Sequence, residues 1–234
     1  MSSLYRLMLA TQLTRGRMAA LAAVGLIGVL IGFAIGNSDP IDPDQAAFSF
    51  VDGYGLGLLV PATALVFAAA ALGDPAEDAT LVYLWLRPVA RWRIVVASFA
   101  ASVSVAIPFA VVPTVVAAGL TRTGRDLPVA ALCASAVAVT AYSAMFLGLG
   151  LLVRRALVWG LAYVLIWEGF VARSGTAAAR MSILVYARSL MADLADREPP
   201  RLAASVPVAI GVPLAVGVVA LALTTWAMRR IDVK

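Results

Sequence analysis

The chain has 234 residues, 62% hydrophobic and 13% charged, with a formal net charge of +5 and a mean hydropathy of +0.95. Such a composition lies outside the range of water-soluble domains and describes an integral membrane protein, with its apolar residues in long blocks and little left for an aqueous core. Histidine is absent, Cys133 is the only cysteine and Lys234 the only lysine. Ser/His and Ser/Lys hydrolytic sites, histidine-ligated metal sites and an internal disulfide therefore each lack a required partner.

The first apolar block runs from Met18 to Gly36. No cleavage pattern of a signal peptide follows it, so it reads as a retained helix. Gly28, Gly32 and Gly36 form a G-x-x-x-G-x-x-x-G stripe that lets another helix backbone approach closely, either within the chain or across a dimer interface. A second block spans Gly55 to Leu72, and after it comes DPAEDATLVYLWLRPVARWRIV, Asp74 to Val95. There Asp74 is placed to cap a helix, Pro75 suits its first position, and Glu77 falls three residues after the cap; Glu77 and Asp78 favour the positive end of the helix dipole. Pro88 disfavours helical geometry at Arg87, which limits this helix to roughly 13 residues or roughly 20 Å, too short to span. Leu81, Leu84 and Trp85 make an apolar stripe with Val82 and Leu86 beside it. That surface needs a cover. One is the inner leaflet, with Arg87, Arg91 and Arg93 near lipid phosphates and Trp85 and Trp92 at headgroup level; the other is a cytoplasmic protein.

Four further blocks follow: Ile94 to Leu120, Val129 to Val153, Ala156 to Ala172 and Val206 to Ala227. All six are expected to be helical, since a backbone in lipid must satisfy its own hydrogen bonds and the runs lack the alternation of barrel strands. Pro108 and Pro113 are positioned to kink the third span, and Pro207 and Pro213 the sixth. Glu168 is the only acid inside a span. Burying it is costly, so it is expected to face protein or water. Anchoring the fifth span by pairing with Arg173 or Arg180 is the favoured role, against bounding a substrate path or binding a coupling ion. The fifth block is short, roughly 25 Å against a hydrocarbon core of roughly 30 Å. After it Ile183, Ala187, Leu190, Met191 and Leu194 recur at helical spacing, which predicts re-entrant helices before the sixth span.

With the N-terminus inside, Arg6, Arg15, Arg17, Arg87, Arg91, Arg93, Arg154, Arg155, Arg229, Arg230 and Lys234 lie on the cytoplasmic side, which is most of the 18 basic residues. Both termini are expected there, and the positive charge reads as a topology signal rather than as nucleic-acid binding. No G-x-x-x-x-G-K-[ST] loop occurs, so the chain does not by itself bind and hydrolyse ATP.

At this level the sequence resembles the permease subunits of ATP-binding-cassette exporters of the type 2 (ABC-2) class. The resemblance rests on ALGDPAEDATLVYLWLRPVARWRIV (Ala71 to Val95), on the six-span plan with both ends inside, and on two further segments. SLYRLMLATQLTRGR is similar to the family's amphipathic helix along the inner leaflet, with Leu4, Leu7 and Met8 on one face, and LAYVLIWEGFVA (Leu161 to Ala172) to its W-E-G-containing fifth span. Ala79 stands where many relatives have Gly, and Ser98 where a lysine is frequent.

The resemblance implies an all-α permease in the cytoplasmic membrane, itself not an enzyme, which dimerises with a second copy or a related permease. Separate ATPase subunits would bind ATP and Mg. It implies that Glu77, Asp78, Leu81, Tyr83, Leu84, Trp85, Arg87 and Arg91 form a coupling helix docked on the ATPase, and that spans one and five face the second permease. The short helices before the sixth span have a counterpart in the family. A cargo of amphipathic or lipid-like character fits spans without a charge cluster. The competing reading is a membrane anchor or sensor whose cytoplasmic helix recruits a partner, or a secondary carrier with no ATPase.

Overall fold

The computed structural model describes residues 2–38, 40–77, 90–173, 175–197 and 203–230, and among them every regular element is helical. Five helices are long and apolar enough to cross a membrane: Arg15–Gly36, Pro43–Pro75, Arg91–Leu120, Asp126–Leu152 and Val206–Arg230. At 1.5 Å per residue even the shortest reaches about 33 Å, enough for the hydrocarbon core of a bilayer. The protein is a multi-pass membrane protein.

In chain order, α1 is Ser2–Gln12 and α2 is Arg15–Gly36. Helix α3, Pro43–Phe50, continues through a π-helical stretch, Val51–Leu59, into α4, Val60–Glu77. Helix α5, Arg91–Ala106, passes through a π-helical turn, Ile107–Val111, into α6, Val112–Leu120. Then come α7, Asp126–Leu152, and α8, Ala156–Ala162, which is extended by a π-helical turn, Tyr163–Glu168. The short α9, Thr176–Ala179, precedes α10, Ile183–Leu194, and α11, Val206–Arg230.

Helices α4 and α7 form the centre, and their contact is the most extensive in the bundle. Small residues make this possible: Ala64, Ala68 and Ala71 of α4 and Ala134, Ala138 and Ala141 of α7 are buried, so the backbones approach closely without a hydrophobic drive from water. Around this pair, α10 and α11 pack on α7, α2 packs on α6, and α1 packs on α5. Helix α2 buries only Leu21, Gly25, Gly28 and Gly32, while Leu26, Ile27, Leu30 and Phe33 are exposed. Helix α11 likewise exposes Val218, Val219, Leu223 and Trp226. Outer faces as apolar as the core are the expected surface of a protein solvated by lipid.

Several expectations need correction. The second span starts well before Gly55: Asp42 caps α3, accepting from the Gln45 N–H at 2.9 Å, with Pro43 at the first turn. The same Asp-Pro pair at Asp74-Pro75 does not start a helix, because α4 arrives there already helical and runs through Pro75 to Glu77. The fifth block, expected from Ala156 to Ala172, is an apolar helix of Ala156–Glu168 followed by a 3-10 turn at Val171–Arg173. Its roughly 20 Å falls short of a full hydrocarbon core. Pro108 lies within the π-helical turn Ile107–Val111 and Pro113 just after it, where the missing N–H groups shift the bonding pattern instead of ending the helix. Pro207 is the second residue of α11, and the helix continues past Pro213.

The face of α1 also differs from expectation. Leu4, Met8 and Gln12 are buried against the bundle, whereas Leu7 is 40% exposed. The i, i+4, i+8 row packs, and Leu7 lies off it.

Candidate functional site

Three contacts gather the ends of six helices at one end of the bundle. Arg17, at the start of α2, pairs with Asp74 of α4 at 2.8 Å. Glu77, at the end of α4, accepts the backbone N–H of Arg155 at 2.9 Å. Arg91, the first residue of α5, donates from Nη1 to the Met228 carbonyl of α11 at 3.2 Å, and it has a further interaction besides. Arg155 sits in the left-handed region, φ 59°, which costs a residue with a side chain about 1 kcal/mol or more. The Glu77 carboxylate helps hold the α7–α8 turn in that form.

Among the described residues this end carries Arg15, Arg17, Arg91, Arg93, Arg154, Arg155, Arg229 and Arg230 against Asp74 and Glu77. Among the described residues the opposite end carries Asp42, Asp44, Asp126, Asp193 and Asp196 against Arg122, Arg125 and Arg197, the last pairing with Asp44 at 3.3 Å. The charge asymmetry read along the chain is thus an asymmetry between the two ends of one bundle. Of the residues expected to couple to an ATPase, Glu77 and Arg91 flank the α4–α5 connection at this basic end; Asp78, Leu81, Tyr83, Leu84, Trp85 and Arg87 lie outside the described residues.

The second constellation surrounds Glu168, which is 2% exposed. The Tyr163 hydroxyl donates to its Oε1 at 2.9 Å, and the Ser182 hydroxyl donates to its Oε2. Tyr142 of α7, fully buried, faces the same carboxylate, although its hydroxyl makes no hydrogen bond of ordinary geometry. Ser182 also accepts the Val185 N–H at 3.1 Å as the cap of α10. One carboxylate therefore ties the end of the α8 segment to the start of α10, against the middle of α7. The expected arginine partners are not seen: no described ion pair involves Glu168, Arg180 is exposed, and the side chain of Arg173 lies outside the described residues. Neutral hydroxyls satisfy a buried carboxylate at a smaller desolvation cost than a guanidinium would carry.

Nearer the acidic end, Arg188 of α10 donates from Nε to Asp52 at 2.6 Å, with both side chains largely covered. Ser189 beside it donates to the Ala204 carbonyl and accepts the Ala204 N–H. Helix α10 is thereby bonded to the α3–α4 element and to the lead into α11. Arg188→Leu is expected to cost about 2 kcal/mol, below the range for a fully buried pair because both groups keep some exposure. Arg188→Leu combined with Asp52→Ala should cost less than the two single changes together. Thermal unfolding of the four proteins in one detergent checks both statements.

The glycine stripe is used inside the chain. A Cβ on Gly32 would stand 2.5 Å from the Ala117 carbonyl oxygen, and one on Gly36 would overlap the Leu120 carbonyl. Gly28 lies under the Tyr54 ring, whose hydroxyl donates to the Val24 carbonyl. Gly28, Gly32 and Gly36 therefore seat α2 on α6 and on the π-helical stretch, and this face is not free for a second permease.

Sequence reasoning missed Asp52, Tyr142, Ser182 and Arg188. Asp52 and Arg188 are 136 positions apart, and a lone Ser or Tyr in an apolar run carries no pattern. Ser182 alone had a local signal, a cap residue directly before the apolar row that starts at Ile183. Comparison with known protein families, with curated proteins and with solved structures finds no match to the chain.

Proposed function

We propose that this chain is the membrane-spanning permease subunit of an ATP-driven exporter of the ABC type 2 class, working as a pair of permeases with separate ATPase subunits. The observation that carries this reading is the tethering of the α4–α5 connection. Its first end is tied to α2 through Asp74–Arg17 and to the α7–α8 turn through Glu77, and its second end to α11 through Arg91. A push on that connection reaches four spans besides its own helix ends. In the proposal, residues 78–89 form the part that sits on the ATPase, and closure of the ATPase dimer on ATP moves the basic end of the bundle as a unit. Cargo of amphipathic or lipid-like character is part of this reading.

Six crossings, with both termini in the cytoplasm, also belong to the proposal. Support comes from parity. Helix α7 ends beside Glu77 and α11 ends beside Arg91, at one end, whereas α10 meets Asp52 and the lead into α11 at the other. The chain changes ends between Arg155 and Arg188, through the short apolar helix Ala156–Glu168 and the segment after it. The basic residues at the α2 start and α11 end favour that end as cytoplasmic.

The test is purification of the tagged protein from its native membrane, with identification of co-purifying chains and an ATPase assay. A stoichiometric ATP-binding subunit is expected. Trp85→Ala is expected to lower transport by about tenfold, the effect of roughly 1.4 kcal/mol lost at the contact, while basal ATP hydrolysis persists. Arg91→Glu should do the same and also loosen α11, since it removes the bond to Met228. A protein that purifies alone, without ATPase activity, overturns the reading in favour of an anchor or carrier.

A further inference from the structure

Between α7, α8 and α11, at the basic end, lies a groove of about 300 Å³ open to the outside of the bundle. Its walls include Met145, Leu149 and Leu152 of α7, Trp159 of α8, and Ala220 and Leu223 of α11, and they are almost wholly apolar. Leu152, Trp159 and Leu223 are exposed, at 61%, 59% and 57%, so the groove opens sideways toward the membrane interior. Water gains nothing there because it finds no polar partners. Something apolar fills it.

Shape narrows the choice. From Met145 to Val153 the groove extends about 12 Å along α7 at 1.5 Å per residue, a narrow slot beside that helix. A whole helix, at least about 10 Å across with its side chains, does not enter a slot of this size. A single hydrocarbon chain does.

Charge narrows it further. Arg154 and Arg155 directly follow Val153 at the groove mouth, and Arg229 and Arg230 lie within two turns of Leu223. The Arg230 guanidinium lies over the Trp226 ring at 4.0 Å from its centroid, the geometry of a cation held at the edge of an apolar zone. None of these four guanidinium groups is ion-paired among the described residues. Among the described residues Glu77 is the nearby acid, and its carboxylate is engaged by the Arg155 backbone. Cations in excess beside a slot for one acyl chain match one class of molecule.

We propose that this groove is a binding site for an anionic phospholipid, with one acyl chain between α7, α8 and α11 and the headgroup phosphate at Arg154 and Arg230. The lipid fills the gap between the central helix and two peripheral ones, and so sets how α8 and α11 sit on α7. The proposal stands apart from the exporter reading, because a carrier or an anchor with this groove would bind the same lipid.

Native mass spectrometry of the purified chain, equilibrated with equal amounts of phosphatidylglycerol and phosphatidylcholine of the same acyl chains, tests it. One phosphatidylglycerol per chain is expected to remain bound in preference to phosphatidylcholine. Arg154→Gln together with Arg230→Gln changes exposed side chains only and should reduce that preference on the order of tenfold, given the attraction each basic residue supplies near an anionic headgroup. Leu149→Trp, which fills the slot, should remove both lipids while the arginines remain. Equal retention of the two lipids, or an undiminished preference in the double arginine variant, overturns the headgroup assignment and with it the site. A chain that retains no lipid but forms a dimer disrupted by Leu149→Trp overturns it too, by giving the groove to a second copy.

Discussion

Gly150→Leu is expected to prevent recovery of folded protein from the membrane, and Gly150→Ala to lower its stability by about 1–3 kcal/mol, the usual cost of forcing extra atoms into a packed interior. A Cβ at this position would stand 2.9 Å from the Cα of Ala69 and closer still to its carbonyl. The obstruction is helix backbone, which cannot rotate aside as a side-chain tip can. Gly73 lies opposite, its own missing Cβ directed at the Gly150 carbonyl. Two glycines thus face each other where α4 and α7 meet at the basic end. In a membrane the closeness of this approach is itself the source of attraction, through dispersion between backbones. Separating α4 from α7 there would also displace Glu77 from the Arg155 turn. Thermal unfolding of Gly150→Ala and Gly73→Ala in detergent measures the effect, and a melting temperature unchanged in both would show that the two helices do not depend on this crossing.

The second large effect is expected at Glu168. Glu168→Leu removes the acceptor shared by the Tyr163 and Ser182 hydroxyls, leaving the buried Ser182 donor unpaired at about 1–3 kcal/mol and the partly buried Tyr163 donor at less. Glu168→Gln keeps one carbonyl oxygen and adds donors that a hydroxyl can accept, so it should lose much less. Ser182→Ala should cost more than a lone hydrogen bond, because the same oxygen caps α10 through the Val185 N–H. The order expected is Glu168→Leu worst, Ser182→Ala next, and Glu168→Gln mildest, read as midpoints of thermal unfolding. Transport by Glu168→Gln separates two roles: full activity assigns the carboxylate to holding α8 and α10 together, and lost activity in a stable protein assigns it to the path of cargo or a coupled ion.

Both predictions turn on contacts that no local pattern carries. The long apolar blocks determine helices in a membrane, since hydrogen bonds within one segment are the only ones a lipid-exposed backbone can rely on. Arginines beside the block ends likewise determined the charge difference between the two ends of the bundle, and a short fifth block followed by helical spacing pointed to the interrupted segment Ala156–Leu194. These are properties of ten to thirty neighbouring residues, and the chain displays them directly.

Tertiary structure decided the partners. Asp42-Pro43 begins a helix and Asp74-Pro75 does not, although the local signal is the same, because the first follows a turn and the second continues α4. The glycine stripe of α2 was open to use inside or outside the chain, and it is filled by Tyr54, Ala117 and Leu120. Glu168 was expected to anchor the fifth block, and hydroxyls from α10 and its own segment hold it, with no ion pair to Arg180. In each case the deciding residue lies far along the chain or on a face that periodicity does not distinguish. In a bundle where lipid is as apolar as the core, hydrophobicity selects the helices but not their neighbours, and close steric fit and buried hydrogen bonds make that choice.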